Sequence, residues 1–363
     1  MIAHLPILQV IIPLMAAPIC LILKRAQLVW LFSLIVSGLA FSISILLLQQ
    51  VMTSGVISYE LGGWQAPWGI EYRIDKLNAF ILLIISAIST IVLFAAQTSI
   101  EKEIPKNKHT YFYVLYLLSL TGLLGIVATG DAFNVFVFLE ISSLSAYALI
   151  AMGKDRQALW ASYQYLIMGT IGATFILIGI GLMYQMTGTL NMQDLSQRLP
   201  EVAQTRTVLT AFSFVIVGVC LKLALFPLHL WLPNAYAYAP SIVTAFFAAT
   251  ATKVAVYLLM RFTFSVFGIS FSFTTVPLQT IFMALGLIGI FAASTSAIYQ
   301  NNVKHLFAYS SIAQIGYMIV GFSLSTAAGL TATLLHMFNH ALMKGALFLA
   351  LGCIAWRIGS SRL

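Results

Sequence analysis

The sequence predicts an all-α polytopic membrane protein with about 11 transmembrane helices, and two observations predict this class. Of the 363 residues, 61% are hydrophobic and only 8% are charged, whereas a soluble domain carries about 25% charged residues. The apolar residues are also gathered into runs of the ~20 residues that a membrane-spanning helix needs. A chain of this composition cannot cover a soluble fold with polar side chains, so we expect it to lie in a bilayer.

Eleven apolar runs are long enough to cross the membrane. In chain order they are 5–23, 27–50, 77–99, 111–129, 132–153, 159–185, 207–237, 240–261, 277–299, 305–323 and 327–354. The seventh run is long because it contains Pro227 and Pro233. Proline lacks an N–H and clashes with the preceding turn, so a helix break is predicted at Pro227. Between the second and third runs, residues 51–76 alternate β-forming residues with glycine and proline, which predicts a small external hairpin.

The formal net charge of +8 comes from basic residues in short loops, so it indicates membrane topology rather than nucleic-acid binding. One side of the membrane receives Lys24, Arg25, Lys102, Lys106, Lys108, Lys154, Arg156, Lys304, Arg357 and Arg362. The other side receives Arg73, Lys76, Arg198, Arg206 and Arg261. The larger set belongs in the cytoplasm. We therefore expect a multi-pass protein of the inner (plasma) membrane, with its N-terminus outside and its C-terminus in the cytoplasm.

Small residues within the runs predict packing rather than chemistry. Each of the three cysteines, at positions 20, 220 and 353, lies alone without ligand spacing, so neither a disulfide framework nor a metal site is predicted. Four glycines lie in the sixth run without a strand before them, namely Gly169, Gly172, Gly179 and Gly181. They indicate close helix packing rather than a phosphate site.

Six ionisable side chains are predicted to lie inside the membrane. They are Glu140 in the fifth span, Lys222 in the seventh, Lys253 in the eighth, and His336, His340 and Lys344 in the eleventh. Glu140 is nine residues beyond Asp131, which places it about 14 Å deep at ~1.5 Å per residue. The three residues of the eleventh span follow at i, i+4 spacing and form one stripe. Charges near mid-bilayer cost at least ~2.5–3.5 kcal/mol each, which marks them as functional candidates.

This set of side chains favours a proton relay. Glu140 and Lys222 can pair, which lowers the cost of burial, and a lysine balanced between burial and a carboxylate can exchange a proton when its partner moves. Histidines titrate near neutrality. A substrate or ion-coordination site and purely structural pairing remain alternatives. His229 follows the break and is either beside a hydrated cavity on the cytoplasmic side or an interfacial histidine.

Four stretches carry a resemblance to a known family. They are FNVFVFLEISSLSAYALIAMG (133–153), LKLALFPLHLWLPNAYAYAPSIVTAFFAATATKVAVYLLMRF (221–262), KHLFAYSSIAQIGYM (304–318) and HMFNHALMKGALFLALG (336–352). Together they resemble the antiporter-type proton-channel family, which includes the D and A subunits of Mrp sodium/proton antiporters and related subunits of respiratory complex I and membrane-bound hydrogenases. The stretch LGGWQAPWGIEYRID (61–75) resembles the Mrp D subunit most.

The resemblance implies roles for the buried residues. Glu140 and Lys222 match the family's key pair, and Lys253 matches the lysine that passes protons towards the central axis. The eleventh-span residues match the motif that continues this axis, namely His336, His340 and Lys344. Lys304 and His305 match the motif at the cytoplasmic end of the tenth span. The family has no cofactor in this subunit, and it works with other membrane subunits of the same complex.

The resemblance also implies two inverted repeats of five helices. Residues 1–110 then hold the first three helices and the hairpin, 111–262 the first repeat with its broken seventh helix, and 277–363 an incomplete second repeat. The twelfth helix is missing from that second repeat. A split subunit, a truncated product and a shortened scaffold paralogue are three explanations for this, and the sequence does not choose between them.

The function that follows is that of an ion-transporter subunit rather than an enzyme. The leading hypothesis is a proton-translocating subunit of an Mrp-type cation/proton antiporter, with protons as the transported ion and Na⁺ engaged only indirectly. The alternatives are a proton-pumping subunit of a redox complex, including an NADH:quinone oxidoreductase-like translocase, a non-conducting scaffold and a substrate transporter.

Overall fold

The apolar runs become helices in a computed structural model of the chain, which describes residues 2–23 and 25–358. Within these residues, eleven helices are long and apolar enough to cross a membrane. The predicted fold class, an all-α polytopic membrane protein, is thereby confirmed. Two basic residues used to predict the topology, Lys24 and Arg362, lie outside the described residues.

The described residues form thirteen α-helices. Their bounds are α1 Leu5–Ile22, α2 Ala26–Ser54, α3 Lys76–Glu103, α4 His109–Ala128, α5 Ala132–Ile150, α6 Gln157–Thr187, α7 Met192–Val202, α8 Arg206–Leu223, α9 Trp231–Tyr238, α10 Ser241–Met260, α11 Leu278–Ile298, α12 Val303–Ser323 and α13 Ala327–Ile358. Two π-helical segments, Arg261–Val266 and Phe271–Thr275, link α10 to α11. The short α7 lies between the sixth and seventh spans and was not predicted.

The hairpin between α2 and α3 is shorter than the region predicted for it, because α2 continues to Ser54. Strands β1 (Ile57–Glu60) and β2 (Glu71–Ile74) pair antiparallel. The buried Glu71 carboxylate accepts hydrogen bonds from Ser58 Oγ at 2.7 Å and Asn191 Nδ2 at 2.9 Å. Since Asn191 is the N-cap of α7, the carboxylate holds the hairpin against that helix.

The seventh span is broken, as predicted. Helix α8 ends at Leu223, and the next residue, Ala224, has a left-handed backbone with φ of 58°. Helix α9 begins only at Trp231, so Pro227 lies within the non-helical segment. The Trp231 indole N–H donates to the carbonyl of Leu221 at 3.1 Å. The same carbonyl accepts from the Ala224 N–H at 3.2 Å, so the indole adds a second donor to the last turn of α8.

Three of the four glycines of α6 have the packing role predicted for them. A Cβ at Gly169 would lie 2.0 Å from the Tyr147 hydroxyl, and one at Gly172 would lie 3.1 Å from the Gly218 carbonyl. A Cβ at Gly179 would lie 2.5 Å from Val215. For Gly181 the prediction is wrong, because a Cβ there would meet nothing within 4 Å.

Helix α10 lies at the centre of the bundle, and nearly all of its residues are buried. It packs against α3, α8 and α13, while α8 packs against α6, and α6 against α5. The helices that carry the predicted ionisable residues are therefore connected through the bundle. Helix α5 packs between α4 and α6, and α12 likewise packs against both α11 and α13. The division into inverted repeats stays a prediction.

Candidate functional site

The ammonium group of Lys222 binds to hydroxyl groups on α5. Its Nζ donates to Ser143 Oγ at 2.8 Å and lies 3.5 Å from the Tyr147 hydroxyl. Lys222 is in the last turn of α8, immediately before the break. The end of α8 therefore brings the lysine to the middle of α5, where two hydroxyls solvate its charge.

Glu140 lies one helical turn before Ser143 on the same side of α5, since residues three apart in a helix share a face. The predicted direct pairing of Glu140 with Lys222 is absent from the structure. Neither residue is in the ion pairs Arg73–Glu71, Arg198–Asp194 and Arg261–Asp75 of the described part of the chain. Glu140 Oε1 is buried and has no hydrogen-bond partner among the described atoms. The lysine has taken the neighbouring hydroxyl instead, which leaves a carboxylate with open acceptor capacity one turn away.

Aromatic side chains surround the Lys222 contact. The Tyr147 ring meets the edge of Tyr165 with centroids 4.7 Å apart, and Tyr165 stacks on Trp231 at 4.0 Å and 4°. Tyr165 is on α6 and Trp231 begins α9. The second half of the broken span, α9, is thus connected to Tyr147 through packed rings.

Lys253 lies in the centre of α10 with none of its surface exposed. Its Nζ donates to the carbonyl of Ala248 at 2.5 Å and lies 3.3 Å from Thr252 Oγ1. Neither partner carries a charge, so this lysine is buried without a counter-ion in direct contact. Charged groups are rarely buried in this way unless they are functional.

The eleventh-span residues form one stripe on α13, as predicted. The rings of His336 and His340 lie nearly parallel, with centroids 6.3 Å apart. His340 is fully buried, and neither of its ring nitrogens has a partner among the described residues. Lys344 Nζ donates to the carbonyl of Phe307 at 2.9 Å and to Ser310 Oγ at 3.0 Å.

Lys253 and the α13 stripe form one electrostatic cluster. The charge of Lys253 is close enough to repel a charge on His336, on His340 or on Lys344. All of these groups are cationic when protonated, and no ion pair within the described part of the chain involves them. Like charges at this proximity cannot all be protonated at low cost. Full protonation of the cluster would therefore be costly, and the cluster is poorly suited to hold a metal cation.

The structure places the remaining predicted residues near the ends of α9 and α12. Lys304 Nζ donates to the carbonyl of Ala239 at 3.1 Å, just before α10 begins. His305 Nε2 lies 3.3 Å from Asn234 Oδ1, and Asn234 Nδ2 donates to Gln164 at 2.9 Å. His305 therefore belongs to a polar connection between α12, α9 and α6.

His229 and Pro227 lie in the break itself. The imidazole of His229 is buried against the Phe226 ring at 5.2 Å, and its Nδ1 has no partner among the residues described. Pro227 is exposed at the bundle surface. The open nitrogen on His229 fits a hydrated break, because a buried polar atom without a protein partner is normally bound to water.

A polar cavity of about 310 Å³ lies at the C-terminal end of α10, away from the broken span. Arg261 lines this cavity and forms an ion pair with Asp75 at 2.8 Å. Arg73, also in the lining, donates a hydrogen bond to Gln193. Burial by itself would raise the pKa of the Asp75 carboxyl, but Arg261 and the backbone N–H groups of α3 lower that pKa below its usual value. This cavity was not predicted from the sequence.

Several residues of the site escaped the sequence prediction. Ser143 and Tyr147 follow Glu140 at i+3 and i+7, so helical spacing alone could have placed them on its face. Tyr165 and Trp231 gave no comparable signal, because aromatic residues are frequent throughout the chain. Their contact depends on how α6 and α9 pack.

The eleven spans of the described residues, with a broken seventh span and a buried set of Glu, Lys and His residues, define the class of antiporter-like membrane transport subunits. Comparisons with known proteins give the same class and also its family. Residues 129–363 match the family described as NADH:quinone oxidoreductase/Mrp antiporter, TM. The chain belongs to this family, as the sequence motifs predicted.

Relatives from respiratory enzymes and from antiporters both align with nearly all of the chain. It is 40% identical over 369 residues to the N subunit of the NADH-quinone oxidoreductase of Desulforudis audaxviator, covering 100% of this chain and 72% of the relative. It is 30% identical over 364 residues to the D subunit of the Na(+)/H(+) antiporter of Alkalihalophilus pseudofirmus, covering 99% of this chain and 72% of the relative. The chain therefore resembles subunits of antiporters and of respiratory enzymes.

Two solved structures share the fold. A chain of the membrane-bound sulfane sulfur reductase, an archaeal respiratory membrane complex, superposes with a TM-score of 0.90 at 33% identity, covering 99% of this chain and 72% of that one. A chain of the Mrp complex of a Dietzia species superposes with a TM-score of 0.88 at 27% identity, covering 100% and 66%. Both neighbours are parts of larger membrane complexes.

Proposed function

We propose that this chain is the proton-translocating subunit of a multisubunit cation/proton antiporter of the Mrp type. One observation carries the proposal: the Lys222 ammonium rests on Ser143 at 2.8 Å while an unpartnered carboxylate oxygen of Glu140 lies one turn away. A lysine that can move between a neutral and an anionic partner changes its hold on a proton. This is the behaviour that a relay station requires.

In the proposed mechanism, a proton enters near the break at Pro227, beside His229, and reaches Lys222. When Lys222 leaves Glu140 for Ser143, it loses its counter-ion and releases the proton more readily. The proton then passes to Lys253 on α10 and onwards to the α13 stripe of His336, His340 and Lys344. His340 suits this transfer because both of its ring nitrogens are buried without protein partners. Water bridges complete the steps between helices.

Orientation and partners complete the proposal. The excess of basic residues in the loops at the Lys304 end of the bundle supports a cytoplasmic location for that end, in a multi-pass protein of the inner (plasma) membrane. The hairpin then lies outside. Other membrane subunits of the same complex are the partners, as the two complexes with similar chains suggest. Na⁺ crosses through another part of the complex, because Glu140 is the single deep carboxylate predicted in this chain.

The proposal is tested with Glu140→Gln in the assembled complex, by measuring cation-dependent proton flux in inverted membrane vesicles. Glutamine keeps the size of the side chain but removes the charge that attracts Lys222. We expect the flux to fall to the background level while the chain still co-purifies with its partners. The matched control, Glu201→Gln, changes an exposed carboxylate and is expected to keep wild-type flux. Normal flux in Glu140→Gln would favour a scaffold subunit instead.

A second function has a specific observation in its favour. The relative with 40% identity belongs to an NADH-quinone oxidoreductase, so the same relay could be driven by electron transfer. The two functions differ in their driving force. Proton flux that follows an imposed Na⁺ gradient supports the antiporter, whereas flux that requires an electron donor and acceptor supports the redox complex.

A further inference from the structure

The contact between Lys222 and the α5 hydroxyls is maintained by a set of packed side chains on three other elements. We propose that Tyr147, Tyr165, Trp231 and Gly169 act together as positioning residues that hold Lys222 on Ser143 and away from Glu140. This inference rests on the proposed function. The inference adds to that function the side chains that determine whether Lys222 contacts Ser143 or Glu140.

Gly169 makes the arrangement possible. A Cβ at this position would lie 2.0 Å from the Tyr147 hydroxyl and 2.9 Å from its Cζ, so any larger residue must displace the tyrosine. With glycine there, the hydroxyl fits against α6 and stays 3.5 Å from Lys222 Nζ. Gly169 thus determines where the second hydroxyl of the Lys222 site lies.

The ring of Tyr147 is fixed from its other side. Tyr165 meets it edge to face at 4.7 Å, and Trp231 stacks on Tyr165 at 4.0 Å. The Ser162 hydroxyl of α6 also donates to the Tyr147 carbonyl at 2.7 Å, which holds the backbone of that turn. Buried aromatic side chains packed in this way have few alternative rotamers.

Trp231 also contacts the backbone next to Lys222. Its indole N–H donates to the carbonyl of Leu221, the residue before Lys222, at 3.1 Å. The first residue of α9 therefore contacts both the ring that positions Tyr147 and the backbone that carries the lysine. A movement of α9 would alter both ends of the Lys222 contact together, so the broken span can control the choice between Ser143 and Glu140.

The inference is tested by comparing Gly169→Ala with Gly181→Ala in the assembled complex. Both changes add one methyl group to α6, but the methyl at position 181 meets nothing within 4 Å. We expect Gly169→Ala to reduce cation-dependent proton flux about tenfold, because losing a hydrogen bond to a charged group favours the Glu140 partner by about that factor. Gly181→Ala is expected to keep wild-type flux.

A second pair avoids the risk that Gly169→Ala fails to assemble. Ser143→Ala removes the hydroxyl that Lys222 contacts at 2.8 Å and adds no bulk. Ser143→Thr keeps a hydroxyl, so it should restore most of the flux that Ser143→Ala loses. A merely structural serine would not show this rescue, since threonine is the larger disturbance in a packed helix.

A structure of the Gly169→Ala complex provides the direct readout. We expect Lys222 Nζ within 4 Å of the Glu140 carboxylate and no longer on Ser143. The inference is overturned if Lys222 keeps its Ser143 contact, or if Ser143→Ala and Gly169→Ala both have wild-type flux while Glu140→Gln has none. Normal flux in Glu140→Gln would instead overturn the proposed function.

Discussion

Arg261 and Asp75 join the end of α10 to the start of α3 through an ion pair of 2.8 Å. Asp75 also caps α3, accepting hydrogen bonds from the backbone N–H groups of Leu77 at 3.0 Å and Asn78 at 3.1 Å. One carboxylate therefore fixes both the central helix, which carries Lys253, and the helix beside it. The contact lies at the hairpin end of the bundle, away from the broken span.

The Asp75 contact predicts a pH-dependent contribution to stability. Arg261 and the α3 backbone hold the pKa of the Asp75 carboxyl below its usual value, even though burial acts in the opposite direction. A carboxyl with a lowered folded-state pKa stabilises the protein above its unfolded pKa of about 3.9, and this stability is lost as pH falls through the folded value. We expect the melting temperature of the purified complex to fall between about pH 5 and pH 3.

Two variants separate the ion pair from the helix cap. Asp75→Asn removes the charge but keeps a good N-cap residue, so its cost is about 1 kcal/mol and its melting temperature loses the Asp75 part of the pH dependence. Asp75→Ala also removes the cap and costs about 1 kcal/mol more. Equal melting temperatures and pH profiles for wild type and Asp75→Asn would contradict this account of the contact.

Replacing Lys253 by an apolar residue is expected to raise the stability of the complex and to abolish its proton flux. Its ammonium is fully buried and contacts only uncharged oxygens. Methionine has a similar shape and no charge to desolvate, so Lys253→Met should raise the stability of the complex by at least about 1 kcal/mol. The same change removes a relay station, and proton flux in vesicles should fall to background.

An exposed lysine serves as the control for Lys253. Lys76→Met alters a side chain at the surface and should leave both the melting temperature and the flux unchanged. If Lys253→Met instead loses flux together with stability, the lysine has a structural role and is not a relay station.

Ala224 gives a test of the helix break that does not involve titratable groups. It is fully buried and has a left-handed backbone with φ of 58°, which suits glycine better than any residue with a Cβ. Ala224→Gly should therefore be neutral or stabilise the complex by up to about 1 kcal/mol. Ala224→Val should cost about 2 kcal/mol or more, because β-branched residues tolerate this backbone poorly. Thermal unfolding of the two variants checks the order, and a more stable valine variant would contradict it.

The sequence predicted the spans well because a bilayer imposes a simple requirement. About 20 apolar residues must follow one another, and all eleven predicted runs correspond to helices within the described residues. Pro227 predicted the break for an equally local reason, its missing N–H. The extra turn of α2 up to Ser54 was missed, because a polar end of a helix gives no hydrophobic signal.

The partners of the buried charges could not be predicted in the same way. Glu140 and Lys222 have opposite charges at similar depth, which favoured direct pairing, yet Lys222 contacts Ser143 in the structure. The outcome depends on the angle at which α8 ends and on the rings that pack beside Tyr147. These are properties of the assembled bundle, and no spacing along one helix contains them.

The most direct test of the central claim is the cation-dependent proton flux of Lys222→Ala in the assembled complex, measured in inverted membrane vesicles. Lys222 is the residue through which the proposed path passes from the broken span to α10. We predict that its flux is abolished while the chain remains bound to its partner subunits. Wild-type flux in this variant would contradict the relay.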